Sequence, residues 1–258
     1  CVAKRYAKEQ GTDMNSRGSD YTERLRAAAR GGYAIGAFNV DSLDVLGLLV
    51  GHVAGTQSPA IFQFGPWSFS HLPIRPTTAA ARALTENAAA CFVHLDHCKD
   101  IDVLGRCVEA GFDSVMFDGT DLPLEENIAR TREAVELGHA AGAAVEGAVG
   151  QLERGADTDP AEAEPFVRRT GVDALGVAIG TGHGQQRAPE QIDLARLDAL
   201  SEMGVPLVIH GGSGLPPDVM PAVRRSAVAK INVATACYRS AQAAVEHFLQ
   251  EKGQGRIL

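Results

Sequence analysis

What this chain lacks narrows it before any motif is read. It has no apolar run near the ~20 residues needed to cross a bilayer, and its first residues carry no hydrophobic core of the kind that directs export. Its 24 Lys and Arg are scattered without a basic stripe and the formal charge is -8, so the electrostatic footprint of a nucleic-acid binder is missing. No C-x-x-C pair occurs among the five cysteines (Cys1, Cys91, Cys98, Cys107, Cys237). An odd number set mostly in apolar runs suits free thiols in a reducing compartment, which reads as cytoplasmic. G-x-x-x-x-G-K-[ST], G-x-G-x-x-G after a first strand, and G-x-S-x-G are all absent, leaving nucleotide binding, dinucleotide binding and α/β-hydrolase chemistry without support. The expected partner is a small molecule, with neither nucleic acid nor membrane involved.

What is present is ordinary globular material, 45% hydrophobic and 22% charged over 258 residues, enough for a large core. Eight short apolar runs recur: Ala34 to Phe38, Pro59 to Phe64, Cys91 to Leu95, Ser114 to Phe117, Ala143 to Val145, Ala174 to Ile179, Pro206 to Ile209 and Val228 to Val233. Each has the length of a strand buried on both faces, and helix formers such as Thr22 to Arg30, Glu125 to Ala141 and Gln191 to Met203 lie between them. Alternation of this kind means βαβ units on a parallel sheet, and eight units predict a single-domain (β/α)₈ barrel, an α/β fold, with a doubly wound open sheet as runner-up. The barrel is expected over residues 20–258. Residues 1–19 are expected to form an N-terminal arm, tag or linker, with Met14 a possible native start, and Gln151 to Ala163 reads as a mobile loop.

A barrel of this class builds its site where strands end. The chemically unusual residues sit there: Asn39, Gln63, Asp96 with His97, Asp118, Glu146, the Gly180 to Gly184 turn, His210 with its glycines, and Asn232. His97, His183 and His210 end the third, sixth and seventh runs, and three such histidines can converge on one divalent metal, zinc by its preference, leaving a fourth position open for substrate. The plainer reading of each is a hydrogen-bonded histidine at a strand end. Alternation puts His94 on the face opposite His97, as a structural residue. Asp96 is either a general acid/base beside the metal or a carboxylate that orients a ligand. Gly211-Gly212-Ser213-Gly214 after the seventh run and Asn232-Val233-Ala234-Thr235 at the eighth offer backbone N–H and hydroxyl donors where such barrels hold phosphate, although a flexible turn explains the glycines equally well.

At these residues the chain resembles the class II (zinc-dependent) fructose-bisphosphate and tagatose-bisphosphate aldolase family. The likeness runs from Gly32-Tyr33-Ala34-Ile35-Gly36-Ala37-Phe38-Asn39 to Lys230-Ile231-Asn232-Val233-Ala234-Thr235, through His94-Leu95-Asp96-His97, Gly111 to Gly119, Val177 to Gly184 and His210 to Gly214. The resemblance implies an aldolase that reversibly splits a phosphorylated ketose into dihydroxyacetone phosphate and an aldehyde through a metal-stabilised enediolate. It implies zinc on His97, His183 and His210, with Asp96 and Asn232 catalytic and Asp118 and Glu146 standing behind the ligands. Gly184, Gly211, Gly212, Ser213 and Thr235 would grip the phosphate, with Asn39 and Gln63 near the substrate. A homodimer or homotetramer, and in some members a bound monovalent cation, are also implied.

The chain departs from the family's pattern after the fifth run. Val145-Glu146-Gly147-Ala148-Val149-Gly150 stands where the family has Val-Glu-Ala-Glu-Leu-Gly, so its second glutamate is Ala148, and the proton-moving glutamate of the following loop has no secure counterpart, Glu153 being only a candidate. Gly65 stands where the family often has serine, Cys98 is read as a small buried filler, and Cys1 to Thr12 is similar to the family's last helix, as a circular permutation would produce. These departures favour two alternatives: an aldolase acting on a different substrate in a specialised pathway, or a catalytically weakened sugar-phosphate-binding protein.

Overall fold

The structure, a computed structural model, describes residues 17–252 except 57, 87, 89, 151–156 and 183. Strands β1 (Ile35–Asn39), β2 (Ala60–Phe64), β3 (Cys91–Cys98), β4 (Ser114–Phe117), β5 (Ala144–Ala148), β6 (Ala174–Val177), β7 (Leu207–Ile209) and β8 (Val228–Val233) pair in parallel in chain order. Closure comes from β8 on β1, with Ala37 opposite Asn232. The single-domain (β/α)₈ barrel expected from the eight runs is the fold, and the open sheet is not.

Helices α1 (Arg17–Gly31), α2 (Leu43–Thr56), α3 (Ile74–Thr85), α4 (Ile101–Ala110), α5 (Leu124–Ala141), α6 (Pro160–Thr170), α7 (Leu194–Ser201), the single turn α8 (Met220–Val223) and α9 (Thr235–Lys252), with four short 3₁₀ turns, complete the described elements. Local signals explain their ends. Asp100 caps α4 by accepting from the N–H of Asp102 and Val103, and Gly111, at φ 101°, ends it in a left-handed turn that a side chain would resist. Pro160 to Ala163, assigned to a loop by their composition, form the first turn of α6. Asp159 accepts from the Ala161 N–H at 2.9 Å, and Pro160 occupies the first turn, where no N–H is needed. Residues 151–156 of that loop lie outside the described residues, as do residues 1–16.

The barrel is packed on both sides of its wall. Between strands and helices a continuous apolar shell includes Val93, Leu95, Cys98, Val115, Phe117, Val145, Leu175 and Ile209, all at most 1% exposed, so Cys98 is core. Inside, the lower layer of Ile35, Ala37, Ile61, Phe92, Ala144, Ala174, Val208 and Ala229 is sealed by Tyr21, Leu25 and Ala28 of α1, which closes the N-terminal end of the barrel. Asp113, 1% exposed, ties this end together. It accepts from Arg17 and Arg82 at 2.9 and 2.7 Å and from the Val93 N–H at 2.7 Å, joining α1, α3 and β3. The four described cysteines are all free thiols. Among the described residues no helix is long and apolar enough to cross a membrane.

Candidate active site

With the lower end apolar, the polar interior is pushed toward the C-terminal end of the strands. Lys230 on β8 is wholly buried and is held there by two groups. Its Nζ donates to Glu146 Oε2 of β5 at 2.7 Å and to His94 Nε2 of β3 at 3.0 Å. His94 in turn reaches Ser114 Oγ at 2.7 Å through Nδ1. Burial alone would push the Glu146 carboxyl up, but the Lys230 charge and the His210 hydrogen bond outweigh it and hold the group well below the usual carboxylate range. Burial and the Lys230 charge lower His94 to about 3, so it is neutral with an acceptor facing Lys230. His94 therefore lies inside the barrel beneath the site, and it is His97 that departs from strand alternation. At φ 51°, with a register shift between Leu95 and Cys98, the backbone turns His97 inward where a regular strand would point it out.

The neutral His94 sets a pH limit on the fold. Its folded value, about 3, lies below the ordinary 6.5, so as pH falls through this window the unfolded chain takes up a proton that the folded chain refuses. Stability is then lost progressively on the acid side, by up to about 1.4 kcal/mol per pH unit. Urea unfolding at a series of pH values should show a shallower acid slope for His94→Gln than for the parent; equal slopes would remove His94 as the cause.

Above this layer the two described ligand candidates meet. His97 Nδ1 lies 2.7 Å from Asp118 Oδ2, and His210 Nε2 lies 3.0 Å from Glu146 Oε1. Each carboxylate fixes its histidine as the tautomer that is protonated on that nitrogen, so the other nitrogen presents a lone pair. Those two nitrogens, His97 Nε2 and His210 Nδ1, face each other at 3.0 Å. Two lone pairs at that separation repel unless a cation or a proton stands between them. Burial opposes the charged form of His97, but the Asp96 charge and the Asp118 hydrogen bond outweigh it and raise the group to about 9. Asp96, His97 and His210 have ligand atoms all within 4.8 Å of one another, a group able to hold a metal ion. The donor set, two oriented imidazoles with a carboxylate, fits zinc. His183 lies outside the described residues.

Asp96 is 3% exposed, with both oxygens engaged. Gln63 Nε2 donates to Oδ2 at 3.1 Å and Asn232 Nδ2 to Oδ1 at 3.3 Å. Burial raises this carboxyl, whereas the charges of His97 and His210 lower it further, leaving it below its ordinary value. Gln63 Nε2 also donates to Asn39 Oδ1 at 2.6 Å, so its amide orientation is fixed by two acceptors. The remaining amide oxygens, Gln63 Oε1 and Asn232 Oδ1, are buried without a protein partner. Acceptors left open beside a cavity suit the hydroxyl groups of a ligand.

That cavity, about 360 Å³, is lined by Asn39, Gln63, Asp96, His97, Asn232, Gly184, Gly211, Ser213 and Thr235, with Ala234, Trp67 and Tyr238 completing it. Gly211 has φ 73°, and a Cβ there would stand 2.9 Å from the Gly182 backbone, so the loops after β6 and β7 touch only because this residue is glycine. Gly212 opens the 3₁₀ turn Gly212–Gly214, and Ser213 Oγ accepts from the Ala236 N–H in the first turn of α9. Thr235 starts that 18-residue helix, whose positive end therefore borders the cavity. The structure thus brings Asn39, Gln63, Asp96, His97, Gly184, Gly211, Ser213, Asn232 and Thr235 to one cavity, with His210 against His97 and Asp118 and Glu146 behind the histidines, whereas Gly212 does not line it. Sequence reasoning missed Lys230 as the partner of Glu146, because nothing in a strand pattern says that two charges on β5 and β8 meet inside a barrel. It also missed Trp67 and Tyr238.

The chain is similar to known proteins over most of its length. The profile of the family described as fructose-bisphosphate aldolase class-II matches residues 19–257. The D-tagatose-1,6-bisphosphate aldolase subunit GatY of Klebsiella oxytoca is 38% identical over 240 residues, covering 88% of this chain and 84% of that protein. Among solved structures, the YdjI aldolase from Escherichia coli K12 superimposes with a TM-score of 0.77 at 29% identity, covering 92% of this chain and 86% of the other. Fructose-bisphosphate aldolase from Campylobacter jejuni shares the fold at a TM-score of 0.78 and 22% identity, over 93% and 83% of the two chains.

Proposed function

We propose, from the premise that this chain belongs to the class II fructose-bisphosphate aldolase family and is an aldolase, that it cleaves a ketose phosphate of the tagatose-bisphosphate type to dihydroxyacetone phosphate and an aldehyde. The observation that carries the reading is the pair of imidazoles 3.0 Å apart, each oriented by a carboxylate, of which His97 lines the glycine-bordered cavity and His210 stands against it.

In this reading His97, His210 and His183 would hold zinc. When bound, the ion supplies Lewis acidity that draws negative charge onto the substrate's ketone oxygen. Asp96, fixed between two amide donors, takes the proton of the hydroxyl that becomes the aldehyde oxygen as the carbon–carbon bond breaks, and returns it in condensation. Asn232 Oδ1 and Gln63 Oε1 accept from substrate hydroxyls, and Asn39 orients Gln63. Gly184, Gly211, Gly212, Ser213 and Thr235 receive the phosphate at the head of α9. The candidate for protonating the dihydroxyacetone phosphate half, Glu153, lies outside the described residues.

A homodimer or homotetramer goes with this reading. Along α9 the side chains of Tyr238, Val245, Phe248 and Leu249 are 37–55% exposed at helical spacing, an apolar stripe that a second copy would cover. The free thiols suit a reducing cytoplasm. A second reading, an aldolase for a different ketose phosphate, is favoured by the buried cluster Met116, Ala148 and Ala178, apolar where the family resemblance puts a glutamate.

The test is a coupled assay for dihydroxyacetone phosphate release from tagatose and fructose bisphosphates, with and without chelator and with potassium exchanged for a tetraalkylammonium ion. Chelator-sensitive release is expected. Zinc-loaded protein that turns over neither substrate nor any other ketose phosphate would refute the reading.

A further inference from the structure

One wall of the cavity has no part in the reaction as described. Trp67, the chain's single tryptophan, lines the cavity with Tyr238, and both remain about half exposed. A half-exposed indole ordinarily swings between rotamers, but this one is held from several sides. Its Nε1–H donates to Asp41 Oδ1 at 3.0 Å. Asp41 is itself fixed: Ser68 Oγ donates to the same oxygen at 3.1 Å, and the Tyr238 hydroxyl donates to Oδ2 at 2.5 Å. The ring also rests on the backbone of Gly65. A Cβ built there would stand 2.1–2.2 Å from Cη2, Cζ2 and Cζ3 of Trp67, so any side chain at residue 65 would displace the indole. Three separate segments, following β1, following β2 and opening α9, thus converge on the orientation of a single ring.

Its position says what the ring faces. In a closed ring of eight strands β2 stands opposite β6, and the loop after β6 brings Gly184 to the cavity. With Gly184, Gly211, Ser213 and Thr235 on the β6–β8 side and Asp96 and His97 on the floor, a ketose phosphate anchored by its phosphate extends toward β2. In the ketose phosphate reading, the carbons on the Trp67 side would then be those that leave as the aldehyde.

We propose that Trp67, pinned by Asp41 and seated on Gly65, is the specificity-determining wall for the aldehyde half of the substrate, packing its indole face against the C–H face of a hydroxylated carbon chain. The negative π-face favours C–H groups and disfavours an anion in direct contact. The inference rests on the ketose phosphate reading above.

The experiment separates the two halves of the substrate on the zinc-loaded enzyme. One measurement is the KM for D-glyceraldehyde 3-phosphate, and for unphosphorylated glyceraldehyde, in condensation with dihydroxyacetone phosphate. The other is solvent deuterium exchange into dihydroxyacetone phosphate alone, followed by proton NMR, which needs no aldehyde. For Trp67→Ala, and for Gly65→Ala, which displaces the ring without removing it, aldehyde KM should rise roughly tenfold more than exchange falls. Asp41→Asn should give an intermediate rise. Proportional changes in both measurements, unchanged KM in both variants, or an altered oligomeric state at unchanged KM would overturn the inference while leaving the ketose phosphate reading intact. A parent enzyme that exchanges no deuterium into dihydroxyacetone phosphate would defeat the ketose phosphate reading, and this inference with it.

Discussion

Replacement of Lys230 by methionine is expected to destabilise the protein by about 3–5 kcal/mol, because it leaves Glu146 as an uncompensated buried charge. Methionine matches the lysine stem in length, so the loss is of charge and not of packing volume. Glu146 is 1% exposed and has two partners, Lys230 on Oε2 and His210 on Oε1, so it must either stay ionised without its cation or take up a proton. Proton uptake is the cheaper outcome for an isolated buried carboxylate, and it weakens the hold on the His210 ring. Zinc affinity, measured by competition with a chelator, should fall roughly 10–100-fold along with the urea midpoint. The double variant Lys230→Met/Glu146→Gln separates the two effects. With no charge left in the layer, most of the stability should return, whereas the amide is a weaker acceptor for His210 and the affinity should stay low. A single variant that matches the parent in both midpoint and affinity would show that the buried pair is not coupled to the ligand.

The fold was legible because a parallel barrel writes each strand as a short apolar run, and all eight runs coincide with strands to within a few residues. The site was legible for a related reason: residues just past those runs must stand at the C-terminal end of the barrel. What escaped the sequence is contact across the interior. His94 reads as facing away from His97 because alternation is the only rule a strand offers, and the backbone at His97, φ 51°, suspends that rule for one residue. Lys230 reads as one more strand residue until β5 and β3 close around it. The seat of Trp67 on Gly65 is equally silent, since a glycine before Pro66 reads as a turn and not as room reserved for an indole. The acidic, glycine-rich composition after Glu146 hid the start of α6, which depends on the single cap at Asp159.

Asp96 is where the proposed chemistry faces its most demanding trial. Its carboxylate is grouped with His97 and His210 within 4.8 Å, so geometry alone allows it to be a third metal ligand. Its partners argue for the other role. Oδ1 and Oδ2 already accept from Asn232 and Gln63. A carboxylate held by two amide donors beside a cationic centre stays ionised and is ready to take a proton. Asp96→Ala should therefore keep about one zinc per chain while ketose phosphate cleavage falls roughly 10²–10⁴-fold, the usual loss for a general acid/base. Emission spectroscopy for the metal and the dihydroxyacetone phosphate assay for turnover decide the matter together. Loss of zinc in step with activity would make Asp96 a ligand, and full turnover with zinc retained would remove it from the proton path. Asp96→Asn sharpens the choice, because the new amide must turn a donor toward either Gln63 or Asn232, which already donate. It should lose turnover to a similar degree through the missing base, and its lost hydrogen bond should add a stability cost of about 1–3 kcal/mol.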